Sequence, residues 1–184
     1  AMGEVAYSRD KLDEAKTALL AAQTKLTNLY TEQPTNLELL KTLGANAFWL
    51  GQIKYDMSDW ESAKPYFEQY LSYSQVMYKL ASDDKNALME LSYANNTLGS
   101  LAMKQQQFDK ATSYFDESLR LKLLALTQDP NNKRLQADIA DTRSWLARTW
   151  RSRGQLNSAI SIHNQLQTEL KSITKTNNTD GYLL

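Results

Sequence analysis

The sequence predicts an all-α fold of stacked antiparallel helix pairs, and three observations carry that prediction. Residues recur at a constant step of 48 through most of the chain. Within each step the apolar positions advance by three and four, the spacing of one buried helical face. Only three prolines and six glycines punctuate 184 residues, which favours long unbroken helices.

The recurrence needs no insertion in any copy. Leu50-Gly51, Leu98-Gly99 and Leu146-Ala147 keep the step, as do Trp60, Phe108 and Leu156, then Ala63, Ala111 and Ala159, then Phe67, Phe115 and His163. Leu12, Ala15 and Leu19 stand one step before Trp60, Ala63 and Phe67, and Met2-Gly3 one step before Leu50-Gly51. The punctuation keeps pace at Gln33-Pro34-Thr35-Asn36, Ser82-Asp83-Asp84 and Asp129-Pro130-Asn131-Asn132. The chain therefore divides into a partial unit of about 1–34 and units of about 35–82, 83–130 and 131–178, all in a single domain over 1–184.

Each unit holds two helical patterns. Leu12, Ala15, Leu19, Ala22, Leu26 and Leu29 form the stripe of a second helix, and Leu39, Leu43, Leu50 and Ile53 that of a first helix. Between them Ser58-Asp59-Trp60-Glu61 has the form of a capping box, with Gly154 at the equivalent turn later. The Asp, Asn and Pro clusters close one unit and cap the next. Pro65 falls inside a second helix and is expected to kink it or delay its start.

These residues resemble the tetratricopeptide repeat (TPR) family. Leu50, Gly51, Trp60, Ala63 and Phe67 follow its pattern, and Leu98, Gly99, Phe108, Ala111 and Phe115 follow it again. The last copy departs, with Ala147 for the glycine and His163 for the aromatic, and Ala47, Asn95 and Arg143 replace the family's early tryptophan. The family's usual period is about 34 residues, so this unit is longer by about 14. Lengthening each helix by two turns, about seven residues, would keep the same face inward. In this it resembles the long-period, TPR-like arrays of bacterial multidomain proteins. The resemblance implies a right-handed superhelical stack, a TPR-like α-solenoid, whose concave face recognises proteins or peptides without catalysis.

Composition narrows the function independently. Lys plus Arg and Asp plus Glu both total 21, so there is no basic excess for a nucleic-acid backbone. The absence of cysteine removes disulfides and thiolate metal sites, and one histidine forbids a multi-histidine metal centre. No run approaches the roughly 18 apolar residues of a membrane span, and no secretory signal opens the chain. A cytoplasmic setting is expected, or a periplasmic one if a longer parent chain carries an upstream signal or span. His163, in phase with Phe67 and Phe115, reads as a packing residue, and Asp13-Glu14, Asp83-Asp84 and Asp138 with Asp141 as caps and exposed faces. No phosphate-binding loop or calcium-binding spacing occurs. Neither an enzyme nor a bound cofactor or metal is expected.

The partner-binding expectation falls on Trp49, Tyr55, Tyr93, Trp145, Arg148 and Arg151. Trp49 and Trp145 share one repeat position on the first helix, beside the Leu50 and Leu146 core positions. The stretch Arg143–Arg153 holds four arginines and two tryptophans in eleven residues. It reads either as a solvated helix with arginines lying over indoles, or as the basic, aromatic end of a peptide groove. The groove reading suits a protein or peptide segment with acidic and apolar residues. The family's clamp for C-terminal carboxylates uses Lys and Asn where Phe48, Gln52, Thr97, Asp141 and Trp145 stand here, so such a clamp is not expected. Alternatives are a ligand-sensing regulatory domain of a larger signalling or transcription protein, and a homodimer formed through exposed stack ends. The chain is also expected to be a fragment, because Met2–Ser8 is only a stub of a first helix and Thr176–Asp180 aligns with a turn that elsewhere opens another pair.

Overall fold

A computed structural model describes residues 11–162 and Asn164. Six complete helices follow one another: α1 (Leu12–Glu32), α2 (Leu37–Asp56), α3 (Trp60–Leu80), α4 (Lys85–Lys104), α5 (Phe108–Gln128) and α6 (Lys133–Ser152). A seventh, α7, is helical over 156–162 and at Asn164. α1, α3 and α5 each have 21 residues, and α2, α4 and α6 each have 20. Their starts lie 48 residues apart within each class. Helices adjacent in sequence pack together, most extensively within the α2/α3 and α4/α5 hairpins, and α4 also touches α6. The result is an all-α stack of antiparallel hairpins.

Each core cluster spans successive helices, which is why no hairpin buries its apolar stripe alone. Ala15 and Leu19 of α1 meet Leu50 and Ile53 of α2. Ala63 and Phe67 of α3 meet Leu98 and Leu101 of α4. Ala102, Ala111 and Phe115 meet Leu146 of α6 and Ile162 of α7. Phe67 and Phe115 are fully buried, whereas Trp60, Phe108 and Trp150 are half-buried. The repeated Leu-Gly explains itself here: a Cβ on Gly51 would lie 2.5 Å from the Phe67 ring, and one on Gly99 would lie 2.7 Å from Phe115. His163, Met2–Ser8 and Thr176–Asp180, which carried the packing-histidine and fragment expectations, lie outside the described residues.

First helices are capped by the punctuation clusters. The side chains of Asn36, Asp84 and Asn132 accept from the backbone N–H groups of Leu39, Ala87 and Leu135, at 3.1, 2.9 and 2.9 Å. The expected capping box is displaced by one residue. Asp59, not Ser58, caps α3, accepting from the Ser62 N–H at 3.3 Å, while Ser58 sits in the left-handed region at φ 60°. Pro65 does not delay α3, which starts at Trp60. As the sixth residue it removes only one main-chain bond, and neighbouring packing by Ala63 and Phe67 on α4 holds the turn.

Candidate partner-binding surface

The six expected binding residues occupy the first helices α2, α4 and α6, but they face two ways. Trp49 packs backward against Ala15, Leu19, Leu50 and Ile53, with its indole edge-on to Phe48 at 5.2 Å. Trp145 also faces backward, stacked on the buried Phe115 ring at 5.7 Å. Tyr55 faces forward, into the cluster that α4 closes over Ala63 and Phe67. Arg151 holds the equivalent register two array positions later, two steps of 48 after Tyr55, with Met103 between them. Met103 likewise packs beneath α6 and accepts a hydrogen bond from the Thr149 hydroxyl at 3.1 Å.

Two of the six are brought together as a pair. The Arg148 guanidinium lies 4.7 Å over the Trp145 ring. Arg148 and Arg151 are both exposed, one helical turn apart on α6, whereas Trp145 is half-buried. A guanidinium lying on an indole keeps its in-plane donors free for a carboxylate, so the pair suits an acidic group set beside an apolar one. The other arginines of this stretch are less free. Arg153 pairs with Asp109 at 2.7 Å and donates to the Thr112 hydroxyl at 3.3 Å, tying the end of α6 to the start of α5.

Tyr93 belongs to a polar network that the apolar stripe conceals. Its hydroxyl donates to Asp138 at 3.0 Å, and its ring lies under the Lys122 ammonium, 5.5 Å from the centroid. Lys122 is 3 % exposed and donates to the Thr142 hydroxyl at 2.7 Å and to the Asp138 carbonyl at 3.2 Å. Burial pulls the ammonium below its ordinary range, against the opposing fields of Asp138 and Asp141. Burial, then the Asp138 hydrogen bond, pushes the Tyr93 phenol up to about 12. Lys122 was not singled out in the sequence. The signal available was its register: it stands 48 after the buried Ser74, on the stripe that also carries Phe115, Ser118 and Ala125.

Beside Arg148 runs an open trench of about 470 Å³. One wall is Ser144, Ala147, Arg148 and Arg151 of α6, the other Leu156, Ala159 and Ile160 of α7. Among the described residues no cluster of His, Cys, Asp or Glu could hold a metal ion, and no helix is long and apolar enough to cross a membrane.

Comparison with known proteins finds one family match within the chain and a few distant relatives. The tetratricopeptide repeat family model matches residues 92–123, most of α4 and the first part of α5. Protein NCA1 of Arabidopsis thaliana is 27% identical over 135 residues, which are 73% of this chain and 33% of that protein. The chain thus spans about a third of the length of this curated relative. Two crystal structures of MamA superpose at low similarity. One is 15% identical over 100% of this chain and 92% of its own, with a TM-score of 0.39; the other is 12% identical over 95% and 98%, with a TM-score of 0.30.

Proposed function

We propose that this chain is a tetratricopeptide repeat array, built as a long-period variant with a 48-residue unit, and serves as a non-catalytic recognition scaffold for a protein or peptide segment. The observation that carries the reading is the exposed Arg148 lying on Trp145 with Arg151 one turn away. The partner segment would present a carboxylate to the arginines and an apolar side chain to the indole. Trp49, Tyr55 and Tyr93, half-buried on the other first helices, would add only the parts of their rings left exposed. An array of hairpins supplies a long continuous surface for such a segment.

The charge-reversed pair Arg148→Glu with Arg151→Glu tests this without touching the core. Both side chains are exposed, so folding should change by no more than about 0.5 kcal/mol. Binding to a peptide library biased toward acidic and apolar residues should weaken by about 2 kcal/mol or more, measured by fluorescence anisotropy. Trp145→Ala is a poorer probe, because removing the indole also uncovers Phe115. Unchanged affinity in the reversed variant, with helicity intact by circular dichroism, would remove the α6 face from the recognition surface.

A further inference from the structure

The trench between α6 and α7 has two internal precedents. One unit earlier its residues are Asn96, Gly99, Ser100 and Met103 with Phe108, Ala111 and Thr112, and two units earlier they are Phe48, Gly51, Gln52 and Tyr55 with Trp60, Ala63 and Lys64. Both precedents are roofed by a first helix. α4 lays Leu98 and Leu101 over Ala63, Phe67, Phe48, Tyr55 and Trp60. α6 lays Leu146 and Trp150 over Ala111, Phe115 and Met103. Among the described residues nothing lies across the third trench, where Leu156 and Ile160 are 58% and 57% exposed.

The third copy is also altered in a consistent direction. The α7 wall gains Ile160 where the precedents have Lys64 and Thr112. The α6 wall gains Arg148 for Gln52 and Ser100, and Arg151 for Tyr55 and Met103. The third trench thus sets an apolar Ile160 on one wall opposite two cations on the other. Among the described residues neither Arg148 nor Arg151 meets a carboxylate in an ion pair.

We infer that this trench is a docking site for an amphipathic helix of a partner protein, seated as α4 and α6 seat on the earlier hairpins, with carboxylates along the edge that faces Arg148 and Arg151. The helix would bring apolar residues three or four apart, the spacing of Leu98 with Leu101 and of Leu146 with Trp150. A second copy fits less well. Its described first helices α2, α4 and α6 are already packed within its own hairpins. The inference rests on the recognition reading above but assigns the partner to the end of the stack and not to the concave row.

The test uses the full chain and two helical peptides the length of α4. Both keep the α4 apolar positions; one carries glutamates at the remaining positions and the other lysines. By fluorescence anisotropy the acidic peptide should bind at least about ten-fold more tightly than the basic one. Ile160→Lys, which restores the residue type of Lys64, should weaken the acidic peptide by about ten-fold or more, and Ile160→Thr by less. Lys16→Ala, exposed on α1, should leave this peptide unaffected. Equal binding of the two peptides, or indifference to Ile160→Lys, would overturn the inference. So would a concentration-dependent dimer in light scattering that the acidic peptide disrupts, since a second copy would then own the trench. Loss of acidic-library binding in the Arg148, Arg151 double variant, with no loss in Ile160→Lys, would leave the recognition reading standing and remove only the trench.

Discussion

The two interior junctions, α2–α3–α4 and α4–α5–α6, share a backbone plan but place a tyrosine hydroxyl on the same acidic register by different routes. In the first, Tyr70 of α3 donates to Glu90 of α4 at 2.8 Å. One unit later the acid is Asp138, but the residue equivalent to Tyr70 is Ser118, whose buried hydroxyl has no partner. The hydrogen bond comes instead from Tyr93 of α4, where the earlier unit has Ala45. Neighbouring positions compensate. The Tyr70 ring fits because Gly44 faces it, and a Cβ there would lie 2.9 Å from the ring; beside Ser118's smaller register the equivalent of Gly44 is Ser92. Ser74, bonded to the Tyr70 carbonyl, becomes Lys122. Repetition thus conserves helix register and the acid's place, while volume and polarity are traded between helices within each junction.

The largest expected effect tests that trade. Tyr70→Ser should cost about 3–5 kcal/mol, since it empties a buried ring and strands Glu90. Gly44→Ser should cost about 1–3 kcal/mol through overpacking against Tyr70. The double variant reproduces the Ser92 and Ser118 pair, and its loss in denaturant unfolding should fall below the sum of the singles by at least about 0.5 kcal/mol. Additive losses would mean that the two positions are independent and that the compensation is accidental.

A smaller effect separates the two tyrosines by pH. The folded chain holds the Tyr93 proton up to about 12, against an ordinary value of 10.0. The phenol's contribution is therefore complete below pH 10 and lost as the pH climbs through about 12. Lys122 acts oppositely: its lowered value means that the folded chain releases the proton before the unfolded chain does, so stability rises with pH just beneath 10.5. The charges facing this pair are Asp138, Asp141 and Arg134 of α6 and Glu90 of α4. Tyr93→Phe should cost about 1–2 kcal/mol near neutrality and soften the alkaline loss, without abolishing it because Tyr70 is also raised. Lys122→Met should remove the rise. Urea midpoints across the alkaline range read both, and an unchanged pH profile in either variant would refute its assignment.

Local pattern made the architecture legible. The three-and-four stripe and the 48-residue step identify Leu19, Leu50, Phe67, Leu98, Phe115 and Leu146 as interior, and all six are buried. Side chains whose role depends on a second helix were not legible. Lys122 is tolerable inside only because Thr142 and the Asp138 carbonyl arrive from α6. On the binding surface, Tyr55 and Trp145 were expected to meet one partner, yet Tyr55 turns toward the next hairpin and Trp145 toward the previous one. Their registers differ by six residues, a rotation of about 120° on a helix, enough to change which neighbour a ring meets. The Ser58 cap failed for a local reason: the last turn of α2 ends in a left-handed residue before α3 can be capped, which moves the cap to Asp59.

That turn supplies the smallest expected effect and the cleanest comparison between units. Ser58, Gln106 and Gly154 are 48 residues apart and have φ values of 60, 57 and 74°. Each ends a first helix with the same pair of bonds. Ser58 N–H donates to the Tyr55 carbonyl and Asp59 N–H to that of Lys54, both at 2.9 Å, and Gln106, Gln107, Gly154 and Gln155 repeat the pattern. Only the third unit uses glycine, the residue that enters this region without a Cβ clash. Left-handed geometry costs an L-residue roughly 1–2 kcal/mol, part of which glycine returns through the freer unfolded chain. Gln106→Gly and Ser58→Gly should each stabilise by up to about 1 kcal/mol, raising Tm by about 2–4 °C. Gly154→Ala should cost a similar amount although a Cβ there would meet nothing within 4 Å, so the loss isolates backbone strain from packing. If Gly154→Ala is neutral while Gln106→Gly stabilises, the last turn is looser than the interior ones, and the three units differ in rigidity even where their hydrogen bonds coincide.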